Sequence, residues 1–138
     1  MNPLPQKGTA VSSMIMTVDD SPSMRMLLKA ALTDMGYNVL EAEDGVDGIK
    51  KLGENPDVAM IISDVNMPNM GGLEMVESIK AAGSYRGPIV MLTTEGAGEL
   101  IERARNAGAK GWLVKPFKPD QLIAAVQKLT GTEAKGAA

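Results

Sequence analysis

The sequence predicts an open, doubly wound α/β fold: five parallel strands, five helices, one domain. Three observations carry that reading. Short apolar runs alternate in strict order with helical patterns. The runs are continuously apolar rather than alternating, as strands covered on both faces by helices must be. At 138 residues with 44% hydrophobic and 22% charged side chains, the chain has the size and composition of a single globular unit.

The predicted strands are Met14–Val18, Tyr37–Leu40, Val58–Ile62, Ile89–Leu92 and Trp112–Val114. Between the first two, Met24, Leu27, Leu28, Ala31, Leu32 and Met35 recur at the spacing of one helix face. Ser21 is suited to the N-cap, Pro22 to the first turn and Gly36 to the stop. Further stripes are Val46, Ile49 and Leu52 within 44–52, Leu73, Val76 and Ile79 within 72–82, and Leu100, Ile101 and Ala104 within 99–107. Leu122, Ile123, Val126 and Leu129 mark the last helix. Strand–helix units in this order wind a parallel sheet with helices on both faces. Residues 1–12, with Pro3, Pro5 and Gly8, read as an N-terminal arm, 13–130 as the domain and 131–138 as a small, polar tail.

Composition excludes several chemistries. The chain has no cysteine and no histidine, so thiolate sites, imidazole bases and Ser–His–Asp triads are impossible. A net charge of −3 argues against binding nucleic acid through phosphate neutralisation. No apolar run approaches the roughly 20 residues that span a membrane, and the N-terminus has no secretory apolar block. The expectation is a soluble cytoplasmic protein without nucleic-acid or membrane partners.

In a parallel sheet all strands end at one edge, and ligands bind beyond it. The residues delivered there are Asp19 and Asp20 after the first run, Asp64 after the third, Thr93 and Thr94 after the fourth and Lys115 after the fifth. Crowded carboxylates repel unless a cation relieves them. An all-oxygen donor set suits a hard cation such as Mg²⁺. One carboxylate can then act as a nucleophile toward phosphorus, with Lys115 and Thr93 binding the phosphoryl oxygens. Asp64, ending a wholly apolar strand, is the candidate acceptor. Each residue taken singly also has an ordinary role: Asp20, Thr93 or Thr94 capping a helix, or Lys115 pointing to solvent.

Four segments carry a family resemblance: Val18-Asp-Asp-Ser21, Ser63-Asp-Val-Asn-Met-Pro-Asn-Met-Gly-Gly72, Met91-Leu-Thr-Thr-Glu95 and Gly111-Trp-Leu-Val-Lys-Pro-Phe117. Together they resemble the receiver domains of two-component response regulators, especially the stand-alone CheY-type chemotaxis regulators. Glu43-Asp-Gly-Val-Asp47 also fits, and the likeness runs from about Met14 to Leu129. The resemblance implies a flavodoxin-like strand order of 2-1-3-4-5. It also implies phosphorylation of Asp64 by a partner histidine kinase of the CheA type. Mg²⁺ would be held by Asp20, Asp64 and the Asn66 carbonyl, with Asp19 acting through water. Thr93 and Trp112 would be the switch pair, Lys115 would meet the phosphoryl group, and Lys115–Pro116 would be cis.

Trp112 stands where the family carries Tyr or Phe, and is equally suited to being a rim aromatic packed on the last helix. Asn66 and Glu95 imply a short-lived phosphoryl state, and Gly96 and Gly98 a loose loop before the fourth helix. The resemblance makes the chain no enzyme toward outside substrates. Its partners would be the kinase, a flagellar-motor component or relay protein, and in some circuits a phosphatase. The basic residues Arg103, Arg105, Lys110, Lys118 and Lys128 suit an acidic partner peptide. A phosphate sink, a relay intermediate outside chemotaxis and a non-phosphorylated binding module are the alternative outputs. A haloacid-dehalogenase-like phosphatase is disfavoured because Asn66 stands where its second Asp would be, and a flavodoxin-like carrier because Asp19 and Asp20 would repel a cofactor phosphate.

Overall fold

The computed structural model describes residues 14–94 and 98–131. The arm at 1–12, Glu95, Gly96 and all of the tail except Gly131 lie outside them. Five strands and five helices alternate: β1 (Met14–Val18), α1 (Pro22–Asp34), β2 (Asn38–Ala42), α2 (Gly45–Glu54), β3 (Met60–Asp64), α3 (Gly72–Ala82), β4 (Ile89–Thr93), α4 (Gly98–Asn106), β5 (Gly111–Val114) and α5 (Pro119–Thr130). The sheet is parallel throughout, in the order β2-β1-β3-β4-β5, which is the 2-1-3-4-5 arrangement the resemblance implies.

Alternate residues of each central strand serve two separate cores. Met16, Val18, Ile61 and Met91 face α2, α3 and α4, meeting Leu52, Val76, Ile79 and Ala104. Ile15, Met60, Ile62, Val90 and Leu92 face α1 and α5, meeting Leu28, Leu32, Leu122 and Val126. Each fully buried aliphatic side chain contributes on the order of 1.5–3 kcal/mol. The central strands β3 and β4 are buried along their whole length. That explains why they read as unbroken apolar runs. No helix among the described residues is long and apolar enough to cross a membrane.

Several boundaries differ from the sequence expectation for one reason: apolarity reports burial, whereas strand ends are set by pairing. β2 extends through Ala42 because Thr17 and Val18 pair with Glu41 and Ala42. β3 runs from Met60 through Asp64 rather than from Val58 to Ile62, and the acid is its last residue, as expected. Leu27 and Val46, expected on buried stripes, are 50% and 54% exposed. In α2 the inward positions belong to Gly45, Gly48 and Leu52. A Cβ on Gly48 would lie 2.8 Å from Met75 Sδ, and one on Gly45 would lie 2.6 Å from Met70 Cγ. The glycines let α2 approach that closely. Ser21 does cap α1, its hydroxyl accepting from Met24 N at 3.2 Å, and Gly36 adopts φ +95° just beyond the helix.

At the opposite end of the sheet from the acidic rim, Tyr85 fastens the α3–β4 connection. Its hydroxyl donates to the Val58 carbonyl at 2.9 Å, and burial pushes its phenol up to about 12. The native state thus holds this proton more tightly than the unfolded chain, whose tyrosines titrate near ~10. The stability gained is intact below that value and lost as pH rises through the native one. An alkaline absorbance titration is expected to show a tyrosine ionising about two units late, in step with loss of structure. Tyr85→Phe should remove that late step, and its persistence in the variant would contradict the assignment.

Candidate functional site

Register brings the acids together. Val18 pairs with Ser63 across β1 and β3, so Asp19 and Asp64 emerge side by side from neighbouring strands. Ligand oxygens of Asp19, Asp20 and Asp64 all lie within 4.8 Å of one another. Asp64 pairs with Leu92 across β3 and β4, and Thr93 with Val114 across β4 and β5. Thr93 therefore sits one residue beyond the acid on the adjacent strand, and Lys115 follows directly on the next. The Lys115 amide donates to the Thr93 carbonyl at 2.6 Å, and the Lys115–Pro116 peptide is cis.

The electrostatics are those of two buried acids sharing one cation. Lys115 Nζ lies 3.5 Å from Asp19 Oδ2 and 3.3 Å from Asp64 Oδ2. Asp19 is fully buried, and its Oδ1 accepts from the Ser21 amide at 2.9 Å. Arg25 reaches the Asp19 carbonyl at 2.6 Å while pairing with Glu41 at 3.1 Å. Asp64 Oδ1 accepts from the Val65 amide at 2.9 Å, which leaves Oδ2 toward Lys115. Burial pushes the Asp64 carboxyl above its usual range and the Asp19 charge adds to that, while Lys115 and the Val65 amide pull the other way. Asp20 is exposed at the mouth.

The third wall is the loop from Val65 to Gly71. With Asp20 and Glu74 it lines a cleft of about 420 Å³ that includes Asn66, Met67 and Pro68. Glycine is required where this loop enters α3. A Cβ on Gly71 would lie 2.8 Å from the Val65 carbonyl oxygen, and one on Gly72 would collide with the carbonyl of Asp64 itself. The donors around the cleft are all oxygens, and three carboxylates face a single ammonium. That excess of negative charge and donor type fits a hard divalent cation, so the residues present suit Mg²⁺.

The ordinary roles are settled for several residues. Ser21 rather than Asp20 caps α1. Neither Thr93 nor Thr94 caps the next helix, since Thr93 ends β4 and α4 begins at Gly98. Lys115 is held over the acids rather than solvated. Trp112 does not pack on the last helix. It joins the core beneath α3 and α4 and lines a hollow with Ile101 and Ala104, because its position in β5 faces the side opposite Leu113 and α5. Its indole Nε1 is buried and has no hydrogen-bond partner among the described residues. Arg103 leaves the expected basic face, pairing with Glu77 of α3 at 2.8 Å. Arg105, Lys110, Lys118 and Lys128 remain exposed. Sequence reading passed over Asp44 and Asn69, which the fold places against each other beside the cleft at 2.7 Å. The signal available was Asn69 itself, a residue that favours left-handed turns.

Comparison with known proteins agrees with this geometry. The profile of the response regulator receiver domain matches residues 15–127. A chemotaxis protein CheY homologue of Campylobacter jejuni is 42% identical over 120 residues, covering 86% of this chain and 92% of its own. The solved structure of the chemotaxis protein CheY4 of Vibrio cholerae is 40% identical with a TM-score of 0.79, covering 86% of this chain and 99% of that one. The receiver domain of a sensor histidine kinase of Pseudomonas aeruginosa, solved with a magnesium ion in its active-site cleft, is 28% identical with a TM-score of 0.77, covering 88% and 99%.

Two outcomes follow. The raised Asp64 carboxyl means the native state binds that proton more tightly than the unfolded chain. Its contribution to stability is therefore full below the usual carboxylate range and lost as pH rises through the raised value, so the charge is a cost at neutral pH. Asp64→Asn is expected to raise the melting temperature at pH 7 and to lose that advantage at pH 4; a lower melting temperature at pH 7 would contradict the electrostatic account. Gly72→Ala drives a methyl into backbone and is expected to cost about 3 kcal/mol in denaturant unfolding, at the upper end for overpacking.

Proposed function

The chain belongs to the response regulator receiver family, and on that premise we propose that it is a chemotaxis-type regulator phosphorylated on Asp64. The observation that carries this reading is the rim itself. A strand-ending carboxylate stands beside two more, with a lysine reaching it from 51 positions later in the chain at 3.3 Å. Membership of the family implies a phosphohistidine on a partner kinase as the donor, and with no histidine in the chain that group is supplied in trans. One Asp64 oxygen attacks phosphorus, forming the O–P bond as the P–N bond breaks, and the departing imidazole is retained by the kinase.

The chain's own residues prepare that step. The Val65 amide fixes one Asp64 oxygen, and the Lys115 ammonium, already over the acids, turns to the incoming phosphoryl oxygens. Asp20, Asp64 and the Asn66 carbonyl would hold Mg²⁺, with Asp19 acting through water. When bound, the ion neutralises charge on the acids and the phosphoryl group. Support for the metal comes from the acid geometry and from the magnesium-bound receiver of Pseudomonas aeruginosa. Water then hydrolyses the acyl phosphate, the O–P bond to Asp64 breaking as phosphate leaves, and the presence of Asn66 and Glu95 in the sequence suits a short-lived phosphoryl state. The chain transforms no outside substrate, so it acts as a switch rather than an enzyme.

Phosphorylation adds about 1.5 to 2 negative charges and three acceptor oxygens. Thr93, buried at the end of β4, turns its hydroxyl to them, and Trp112 on the adjacent strand repacks into the space released. The two states differ in the face formed by α4, β5 and α5, whose exposed Arg105, Lys110, Lys118 and Lys128 suit an acidic segment of a target protein. The likeness to the Campylobacter and Vibrio proteins supports the chemotaxis reading, under which the chain would act in the cytoplasm with a CheA-type kinase and a motor component as partners.

Intact mass after incubation with acetyl phosphate and Mg²⁺ is expected to show one labile phosphoryl adduct. Asp64→Asn and chelation should each abolish it, and Lys115→Ala should slow it by about 10²-fold, as for loss of a charge-stabilising group. An unmodified wild-type chain would overturn the reading in favour of a binding module.

A further inference from the structure

The Val65–Gly71 loop forms one wall of the acid cleft and carries Asn66; Val65 N holds its start to β4 by donating to the Leu92 carbonyl at 3.0 Å, but beyond that residue the loop's own hydrogen bonds are local. Gly72 N donates to the Val65 carbonyl at 2.9 Å, Met70 N donates to the Pro68 carbonyl at 2.7 Å, and Gly71 N donates to Glu74 Oε1 at 2.8 Å. None of these fixes the middle of the loop relative to the sheet. That is done from α2. Asn69 Nδ2 donates to Asp44 Oδ2 at 2.7 Å, and Gly45 N donates to the Met70 carbonyl at 2.9 Å.

The clamp is built on both sides. Asp44 is 6% exposed, and its other oxygen is spent capping α2, accepting from Asp47 N at 2.8 Å. Its carboxylate is thus aimed and charged where the Asn69 amide arrives. Asn69 is the one non-glycine residue of the described chain with positive φ, +68°, a conformation asparagine tolerates best. Met70 lies so close to α2 that Gly45 has no room for a Cβ. The loop is therefore pinned to the α2 N-terminus through two consecutive residues, three and four positions after Asn66.

We propose that Asp44 and Asn69 are positioning residues of the acid cleft, whose hydrogen bond clamps the Val65–Gly71 loop to α2 and so sets the place of the Asn66 backbone beside Asp20 and Asp64. This deepens the reading of the site as a metal-dependent phosphoacceptor, on which it rests. Neither residue belongs to the cluster of Asp19, Asp20 and Asp64 that could hold the ion. Partners one shell out from a metal set the orientation of its ligands, and their loss costs about 10-fold or more in affinity.

The test separates the clamp from the backbone shape and the metal from the chemistry. Asn69→Gly keeps the left-handed turn but deletes the amide, and Asn69→Asp sets a carboxylate against Asp44. Pairing Asn69→Asp with Asp44→Asn rebuilds the bond with donor and acceptor exchanged. The readout is the Mn²⁺ dissociation constant by electron paramagnetic resonance, with melting temperature and acetyl phosphate labelling beside it. Asn69→Gly and Asn69→Asp are expected to weaken Mn²⁺ about 10-fold, and the paired exchange to recover to within about threefold of wild type. An unchanged dissociation constant in Asn69→Gly, whatever its melting temperature, overturns the inference, as does a wild-type chain that binds no Mn²⁺. A wild type that binds Mn²⁺ but takes no phosphoryl group overturns the phosphoacceptor reading alone, because the metal constants still report the clamp.

Discussion

Two like charges held next to each other in a poorly solvated place govern this molecule. Asp19 and Asp64 are forced together because β1 and β3 are parallel neighbours in a register that puts Val18 beside Ser63. Coulomb repulsion at this range is severe once water is excluded. The fold answers it with one ammonium, two backbone amides and an open side at Asp20. That compensation is incomplete: burial, with the Asp19 charge added to it, holds the Asp64 carboxyl above its usual range. A site left short of positive charge at the mouth of a rigid sheet is one that gains most from a bound cation.

The rest of the architecture serves to hold that arrangement. β3 and β4 are buried along their length between two independent cores, so the strand ends cannot drift to relieve the repulsion. Glycines at 71 and 72 bring α3 hard against the Asp64 carbonyl, and glycines at 45 and 48 bring α2 against the loop and the core. Stability in the cores and tension at the rim are parts of one design, as is usual where binding sites sit on rigid scaffolds.

The same sheet links the site to a distant surface. Thr93 and Trp112 lie on adjacent strands, and Met91 pairs directly with Trp112. A change at the Asp64 end of β4 therefore has a short packed route to the groove between α4 and β5. The ion pair of Arg103 with Glu77, and the Lys80 ammonium on the Asn106 carbonyl at 2.6 Å, tie α4 back to α3. They set the resting position from which any rearrangement starts. Such exposed pairs contribute little stability, so they position the helix without locking it.

Much of this was legible in the sequence. Continuous apolar runs fixed the strands as doubly covered, their alternation with helical stripes fixed the fold class, and the residues following each run named Asp19, Asp20, Asp64, Thr93 and Lys115. These follow from local pattern, because burial and periodicity are written residue by residue. What tertiary structure alone decided concerns distance between segments. It placed Lys115 on both acids, turned Trp112 toward α4 instead of the last helix, drew Arg103 to Glu77 and exposed Val46 while burying glycines. It also joined Asp44 to Asn69 across 25 positions of sequence. A glycine's closeness to its neighbour, or a hydrogen bond between two loops, leaves no periodic trace in either segment, since it depends on where both are carried by the packing of everything between them.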